Sequence, residues 1–238
     1  INNYHFLITM KRVRIGIVGN IGVGKSTLVR ACMSPQFSSI LLNVLPKNDD
    51  NQYNENYSQV HGFLETFNTE KLDQFYKDPL KVAFTLQCDF LQKRVDRESK
   101  IQDSHGIIIE DRTLGEDYHI FGKAQHIQMN MTTEEFTQYE EEYVKVQQKI
   151  PQPDILVYLR AHKTTLQKRI KERGRDSEKH INSSYLSLLN ILYEEYVKNH
   201  AQSPVIIIDT EKYKDVDHFL TKTIQKIAQK VTQIINKE

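Results

Sequence analysis

Cysteine is scarce in this 238-residue sequence: only Cys32 and Cys88 occur. Both fall in stretches that read as helix and neither sits in a C-x-x-C or Cys/His spacing, which argues against a disulfide framework or a zinc site. An excess of one charge is also missing. Lys+Arg number 32 against 31 Asp+Glu, a formal net charge of +1, so nothing suggests a nucleic-acid or membrane surface. No apolar run approaches the roughly 20 residues needed to span a bilayer, and no signal-peptide core precedes a small-residue cleavage site. The expectation is a soluble, cytoplasmic protein with no nucleic-acid and no membrane partner, holding any anionic ligand by local basic clusters. Internal repeats and domain linkers are absent as well, and the length suits one α/β domain. Residues 1–9, ahead of Met10, are set aside as an extension, and 10–238 are taken as the domain.

Five short β-branched runs lie between long amphipathic stretches: VRIGIVG from Val13, SILLNVL from Ser39, GIIIED from Gly106, DILVYL from Asp154 and PVIIID from Pro204. Apolar runs of this length fit strands buried on both faces, the habit of a parallel sheet covered by helices. The expected fold is therefore α/β in three layers with a five-stranded parallel sheet. A helix is predicted over 72–101, where Val82, Leu86 and Phe90 recur four apart. Thr132 and Glu135 form a capping-box start for a helix through 146. Two more amphipathic helices are expected over 185–197 and 217–235, and the Asn- and Asp-rich 46–57 reads as a loop.

Directly after the first run stands Gly19-Asn20-Ile21-Gly22-Val23-Gly24-Lys25-Ser26-Thr27, which satisfies G-x-x-x-x-G-K-[ST]. Glycines let the backbone approach closely, so that consecutive N–H groups wrap phosphates while the next helix offers its positive N-terminus. Lys25 can bridge β- and γ-phosphate oxygens, and the Ser26 hydroxyl can ligate Mg²⁺. A dinucleotide fingerprint is excluded because no third glycine follows Gly24 at the required spacing. The motif implies ATP and Mg²⁺ but names only a phosphate donor.

Candidates for the acceptor side come from three places. The third run ends Glu110-Asp111-Arg112; in an open α/β sheet that end lies beside the phosphate loop, where Asp111 can serve Mg²⁺ and Arg112 can neutralise charge on a transferring phosphoryl group. Lys168 to Arg175 packs five cations into eight residues. Arg169 and Arg173 lie one turn apart, and Gly174 offers a hinge for Arg175, which reads as a lid over 169–178. Gln87 and Arg94, seven apart on the long helix, share a face about 10 Å in length, where an amide and a guanidinium could meet the edge of a base.

These motifs together resemble the deoxynucleoside kinases, a family of bacterial deoxyadenosine and deoxyguanosine kinases and their animal relatives. The resemblance rests on GNIGVGKST, FYKDPLKVAFTLQCDFLQKR from Phe75, EDRTLGEDYHIF from Glu110, RIKERGRDSE from Arg169 and the Tyr185-Leu186 helix start. It implies transfer of the ATP γ-phosphate to the 5′-hydroxyl of a deoxynucleoside by a homodimer. By position, it implies that Gln87, Arg94 and Asp117 meet the base, that Tyr76 and Glu178 hold the sugar 3′-hydroxyl, and that Arg112 lies near the 5′-hydroxyl. Arg169, Arg173 and Arg175 would belong to the lid over ATP. A carboxylate at Asp117 accompanies adenine, guanine or cytosine rather than thymine, since it can accept from an exocyclic amino group.

One departure stands out. Family members carry a Glu-Pro pair just after the second strand, the Glu acting as base, whereas here Leu45 precedes Pro46. Asp49, Asp50 and Glu110 are the candidate replacements. Two rivals follow: a thymidylate-type nucleoside monophosphate kinase, which shares the phosphate loop and Arg-rich lid, and a non-catalytic nucleotide-binding subunit, which the missing base would fit.

Overall fold

The computed structural model describes residues 12–45 and 59–236. In strand β1 (Arg12–Gly19) the two-residue period sends Val13, Ile15 and Ile17 into one apolar layer and Val18 into another. Strand β4 (Ile155–Arg160) divides in the same way, Val157 and Leu159 against Leu156 and Tyr158. A strand buried on both faces needs cover on both, and helices supply it. On the first face lie α1 (Lys25–Met33), α2 (Pro35–Leu42) and the C-terminal α10 (Val216–Ile235). On the second, α9 (Ser183–Asn199) packs Leu189, Leu192, Tyr193 and Tyr196 against Val18, Leu156 and Tyr158. Full burial of such side chains contributes roughly 1.5–3 kcal/mol each.

Strand β3 (Gly106–Asp111) and the edge strands β2 (Val60–Phe63) and β5 (Val205–Asp209) complete a five-stranded sheet. Its order is β2-β3-β1-β4-β5 and every pairing is parallel. Successive connections leave β1 and β3 toward opposite sides, so a crevice opens beyond their carboxyl ends, the habitual ligand position of an open α/β sheet.

The expected fold class holds, but the second strand does not. The apolar run from Ser39 to Leu45 is helical for its first part, within α2. Ser34 is the extended N-cap, Pro35 occupies the first turn, and Phe37 and Leu41, four apart, are buried in the core. Proline at that position is pre-organised for a helix start. The true second strand, Val-His-Gly-Phe, is short and half-buried along its length.

The single helix expected over 72–101 is two, α3 (Thr69–Lys77) and α4 (Pro79–Gln102). Asp78 between them has φ −146° and ψ 80°, because a residue before proline is pushed out of the α region. After β3 a helical segment opens with α5 (Leu114–Glu116), widens into a π-helical stretch over Asp117–Gly122 and ends in α6 (Lys123–Ile127). Helix α7 (Thr133–Gln147) starts at the expected capping box, Glu135 N–H donating to Thr132 Oγ1 at 3.1 Å and Thr132 N–H to Glu135 Oε2 at 2.9 Å. Helix α8 (Lys163–Arg173) follows β4. Cys32 and Cys88 lie in α1 and α4 and are free thiols. No helix among the described residues is long and apolar enough to cross a membrane.

Candidate active site

The loop joining β1 to α1 turns on Gly19, Gly22 and Gly24, whose φ angles are 145°, 81° and 109°. A Cβ on Gly19 would stand 2.3 Å from the Leu159 carbonyl oxygen, so this turn admits no other residue without moving β4. Asn20 braces the loop rather than facing outward: its Nδ2 donates to Leu186 O at 2.9 Å and to Asn190 Oδ1 at 2.7 Å. Lys25 Nζ donates to Gly19 O at 2.6 Å and Asn20 O at 3.0 Å. Burial pushes that ammonium down to about 8, and the Arg112 charge adds to the shift against Asp111, Glu116 and Glu65.

Across the crevice, Ser26 Oγ donates to Asp111 Oδ2 at 2.5 Å. The other oxygen, Asp111 Oδ1, is buried with no hydrogen-bond partner among the described residues. A hydroxyl beside a carboxylate with an open lone pair is a donor set that suits a hard divalent cation.

Arg112, one residue on, adopts φ 66°, a left-handed conformation that costs a non-glycine residue on the order of 1–3 kcal/mol. Its side chain stacks on Phe121, 4.4 Å from the ring centroid. Nε donates to Glu65 Oε2 at 2.7 Å, and Nη1 to Tyr193 Oη at 3.0 Å and Glu116 Oε1 at 3.3 Å. Glu116, fully buried, also accepts from Tyr193 Oη at 2.5 Å and from Gly19 N–H at 3.3 Å, so it ties the phosphate loop to Arg112. Burial raises its carboxyl above the ordinary range, against the pull of Arg112 and Lys25.

Glu65, two residues beyond β2, is the group that sequence reasoning missed. Its carboxylate bridges Arg112 and Arg94, the latter through Arg94 Nη2 to Glu65 Oε1 at 3.2 Å. Burial alone would raise its pKa, but Arg112, Arg94 and Lys25 outweigh that and hold it at about 2. Of the three replacements expected from the sequence, Glu110 is corrected here: Oε1 accepts from Arg14 and Oε2 from Arg97 at 2.8 Å, and it lines a separate small cavity with those two arginines rather than the one that Asp111 and Arg112 line. Asp49 and Asp50 lie outside the described residues.

The base-contact candidates come together. Arg94 Nε and Nη2 donate to Asp117 at 2.7 and 2.9 Å, a bidentate pair of which Asp117, but not Arg94, lines the cavity with Gln87. Gln87 is buried and its Oε1 has no partner among the described residues. Gln87 and Asp117 line one cavity of about 280 Å³ with Tyr76, Glu178, Glu65, Arg112, Lys25 and Ser26. Glu178 Oε2 accepts from Arg173 Nη2 at 2.6 Å, and Oε1 from Arg175 Nη1 at 3.4 Å.

A second cavity of about 530 Å³ opens on the other side of the phosphate loop, between Thr27, Arg169, Arg173, Tyr213, Asp215 and Phe219. Arg173 lines both cavities, whereas Arg175, expected on the ATP side, lines the first. Arg169 Nη1 donates to Thr210 Oγ1 at 2.9 Å. Gly174 caps α8 in a left-handed turn with φ 67°. The T-x-x-E pattern of Thr113 and Glu116 is a sequence signal that would have found Glu116; Tyr193, Tyr213 and Phe219 carried none beyond their helical periodicity.

A family model described as deoxynucleoside kinase matches residues 15–236. The chain is 27% identical over 225 residues to a deoxyadenosine/deoxycytidine kinase of Bacillus subtilis (strain 168), covering 93% of each. It is 27% identical over 223 residues to a deoxyguanosine kinase of the same organism, covering 93% of this chain and 97% of that one. Among solved structures, a deoxyadenosine kinase from M. mycoides with products dCMP and a flexible dCDP superposes with a TM-score of 0.70 and 29% identity, covering 90% of this chain and 98% of that one. The same kinase with bound dATP gives a TM-score of 0.68 at 28% identity and equal coverage.

Proposed function

The chain belongs to the deoxynucleoside kinase family and is a phosphotransferase, and we propose that it moves the γ-phosphate of ATP to the 5′-hydroxyl of an adenine, guanine or cytosine deoxynucleoside. One observation carries this: Gln87 and Asp117, which could meet a base edge, line the same cavity as Glu65, Arg112, Lys25 and Ser26. Tyr76 and Glu178 line it too and would hold the sugar 3′-hydroxyl.

Glu65 accepts a hydrogen bond from the 5′-hydroxyl and aims its oxygen at the γ-phosphorus. The new O–P bond forms as the bond to the β-phosphate oxygen breaks, and the hydroxyl proton passes to Glu65. A carboxylate held at about 2 is a weak base, which suits a loose transition state that asks for orientation before deprotonation. Lys25, Arg112 and the lid arginines Arg169, Arg173 and Arg175 would offset charge on the phosphoryl oxygens. Ser26 and Asp111 would hold Mg²⁺, which would supply neutralising charge to the phosphates. With Glu65 beside Arg112, the non-catalytic alternative loses its support. A homodimer is the state the family resemblance implies, and sedimentation of the purified chain checks it.

An ATP-dependent phosphorylation assay across the four deoxynucleosides tests the proposal. Deoxyadenosine, deoxyguanosine or deoxycytidine should exceed thymidine by roughly 10- to 100-fold in kcat/KM, because a base lacking an exocyclic amino group cannot donate to the carboxylate that Arg94 orients. A preference for thymidine would remove Asp117 from base recognition. Turnover of a nucleoside monophosphate in place of the nucleoside would sink the acceptor assignment.

A further inference from the structure

Arg97 lies one turn past Arg94 on α4 and none of the chemistry above uses it. Its guanidinium nonetheless meets the end of β3 at three points. Nη1 donates to the Asp111 carbonyl at 3.0 Å, and Nη2 donates to the Arg112 carbonyl and to Glu110 Oε2, each at 2.8 Å. The group is held by a chain of ion pairs. Glu110 Oε1 accepts from Arg14 Nη2 at 2.8 Å, and Arg14 Nη1 reaches Glu98, the neighbour of Arg97 on α4, at 2.9 Å. Arg14 and Glu98 are both buried.

The carbonyls it caps flank the left-handed turn at Arg112. Strand alternation places residues two apart on the same face. Had β3 continued in extended form, Arg112 would follow Glu110 to the side away from the crevice. The reversal at φ 66° brings Arg112 instead to Glu65, Tyr193 and Phe121. A reversed non-glycine residue needs surroundings that over-determine it, and one planar guanidinium donating to two successive carbonyls does so.

We propose that Arg97 is a positioning residue: by capping the Asp111 and Arg112 carbonyls it holds the left-handed turn that aims Arg112 into the acceptor cavity. This rests on the reading that Arg112 acts at the 5′-hydroxyl end. A double-mutant cycle tests it, using Arg97→Met, Arg112→Ala and the pair, with kcat and both KM values measured on the preferred deoxynucleoside and ATP. Arg97→Met alone should lower kcat about 10- to 100-fold, the range that misplacement of a reacting group produces, with KM values within about 3-fold and melting still cooperative. In the Arg112→Ala background the same change should cost less than about 3-fold, since residues acting as one unit are non-additive. An equal loss in both backgrounds would assign Arg97 a general structural role and overturn the proposal. Unchanged kcat in Arg112→Ala would instead refute the role of Arg112, and the inference with it. Should Arg97→Met fail to fold, Arg97→Gln enters the same cycle with the same expected pattern.

Discussion

Replacing Glu65 by Gln should lower kcat by about 10²–10⁴-fold, the usual contribution of a positioned acid–base group. Both substrates should still bind within a few-fold of the parent enzyme by calorimetry. Volume is conserved, and the amide oxygen can still accept from Arg112 or Arg94, so the pocket should keep its shape. What is lost is the anionic oxygen that orients the 5′-hydroxyl and receives its proton. The pH profile adds a second reading. Because the arginines hold Glu65 at about 2 against an ordinary 4.5, the carboxylate is ionised throughout the working range, and any acid limb between pH 5 and 7 should survive in form in Glu65→Gln. In the parent enzyme its ion pairs stabilise the fold fully above about pH 4.5 and lose that effect as pH falls toward 2. Turnover of Glu65→Gln within 3-fold of the parent would remove Glu65 from the reaction and return attention to the carboxylates beyond residue 45.

Lys25→Ala should cost at least about 10²-fold in kcat, since a charge-assisted contact that strengthens as phosphoryl charge develops would be gone. Lys25 is held by the carbonyls of Gly19 and Asn20, a cradle that positions the ammonium without neutralising it. Its pKa of about 8 also predicts a proton effect with a definite sign. Phosphate anions favour the ammonium form, so binding of ATP at pH 8.5 should take up a fraction of a proton, and less at pH 7. Calorimetry in buffers of different ionisation heat reads this directly, and the uptake should vanish in Lys25→Ala. Near-parent turnover of that variant would take the phosphate loop out of the mechanism.

Much of this site was legible in the sequence because its chemistry is local. The phosphate loop is a contiguous motif whose glycines occupy the positions where φ is positive. Asp111 and Arg112 follow directly from the end of a buried strand; helical spacing puts Gln87 and Arg94 on one polar face, and the family resemblance is what made that face a candidate base site. Glu65 was hidden by a different physics. Its strand is a half-buried edge of four residues containing His and Gly, without the apolar run that marks β1, β3 and β4. A richer apolar run, Ser39 to Leu45, drew the assignment, although short apolar runs do not by themselves separate strand from helix. Ser34-Pro35 ahead of it was the deciding helix-start signal. The misplaced strand then made Leu45 look like the position of the base. Arg97 was beyond reach for another reason: two of its three partners are backbone carbonyls 14 and 15 residues away, and no pattern of side chains records them.

The π-helical stretch over Asp117–Gly122 absorbs a change of length that an ordinary helix would pass on to its flanks. A π turn is an α-helix carrying one residue too many. The surplus sits between Asp117, which pairs with Arg94, and Gly122, where a Cβ would stand 2.3 Å from the Tyr139 ring. Each residue of the wider turn winds by less than the ~100° of an α-helix, so removing one here would relax the ladder to α geometry and leave both flanks facing nearly their present neighbours. Removing one from the α turns on either side would instead swing a flank by about 100°. The surplus residue is the place where this segment can shorten and still keep Asp117 on Arg94.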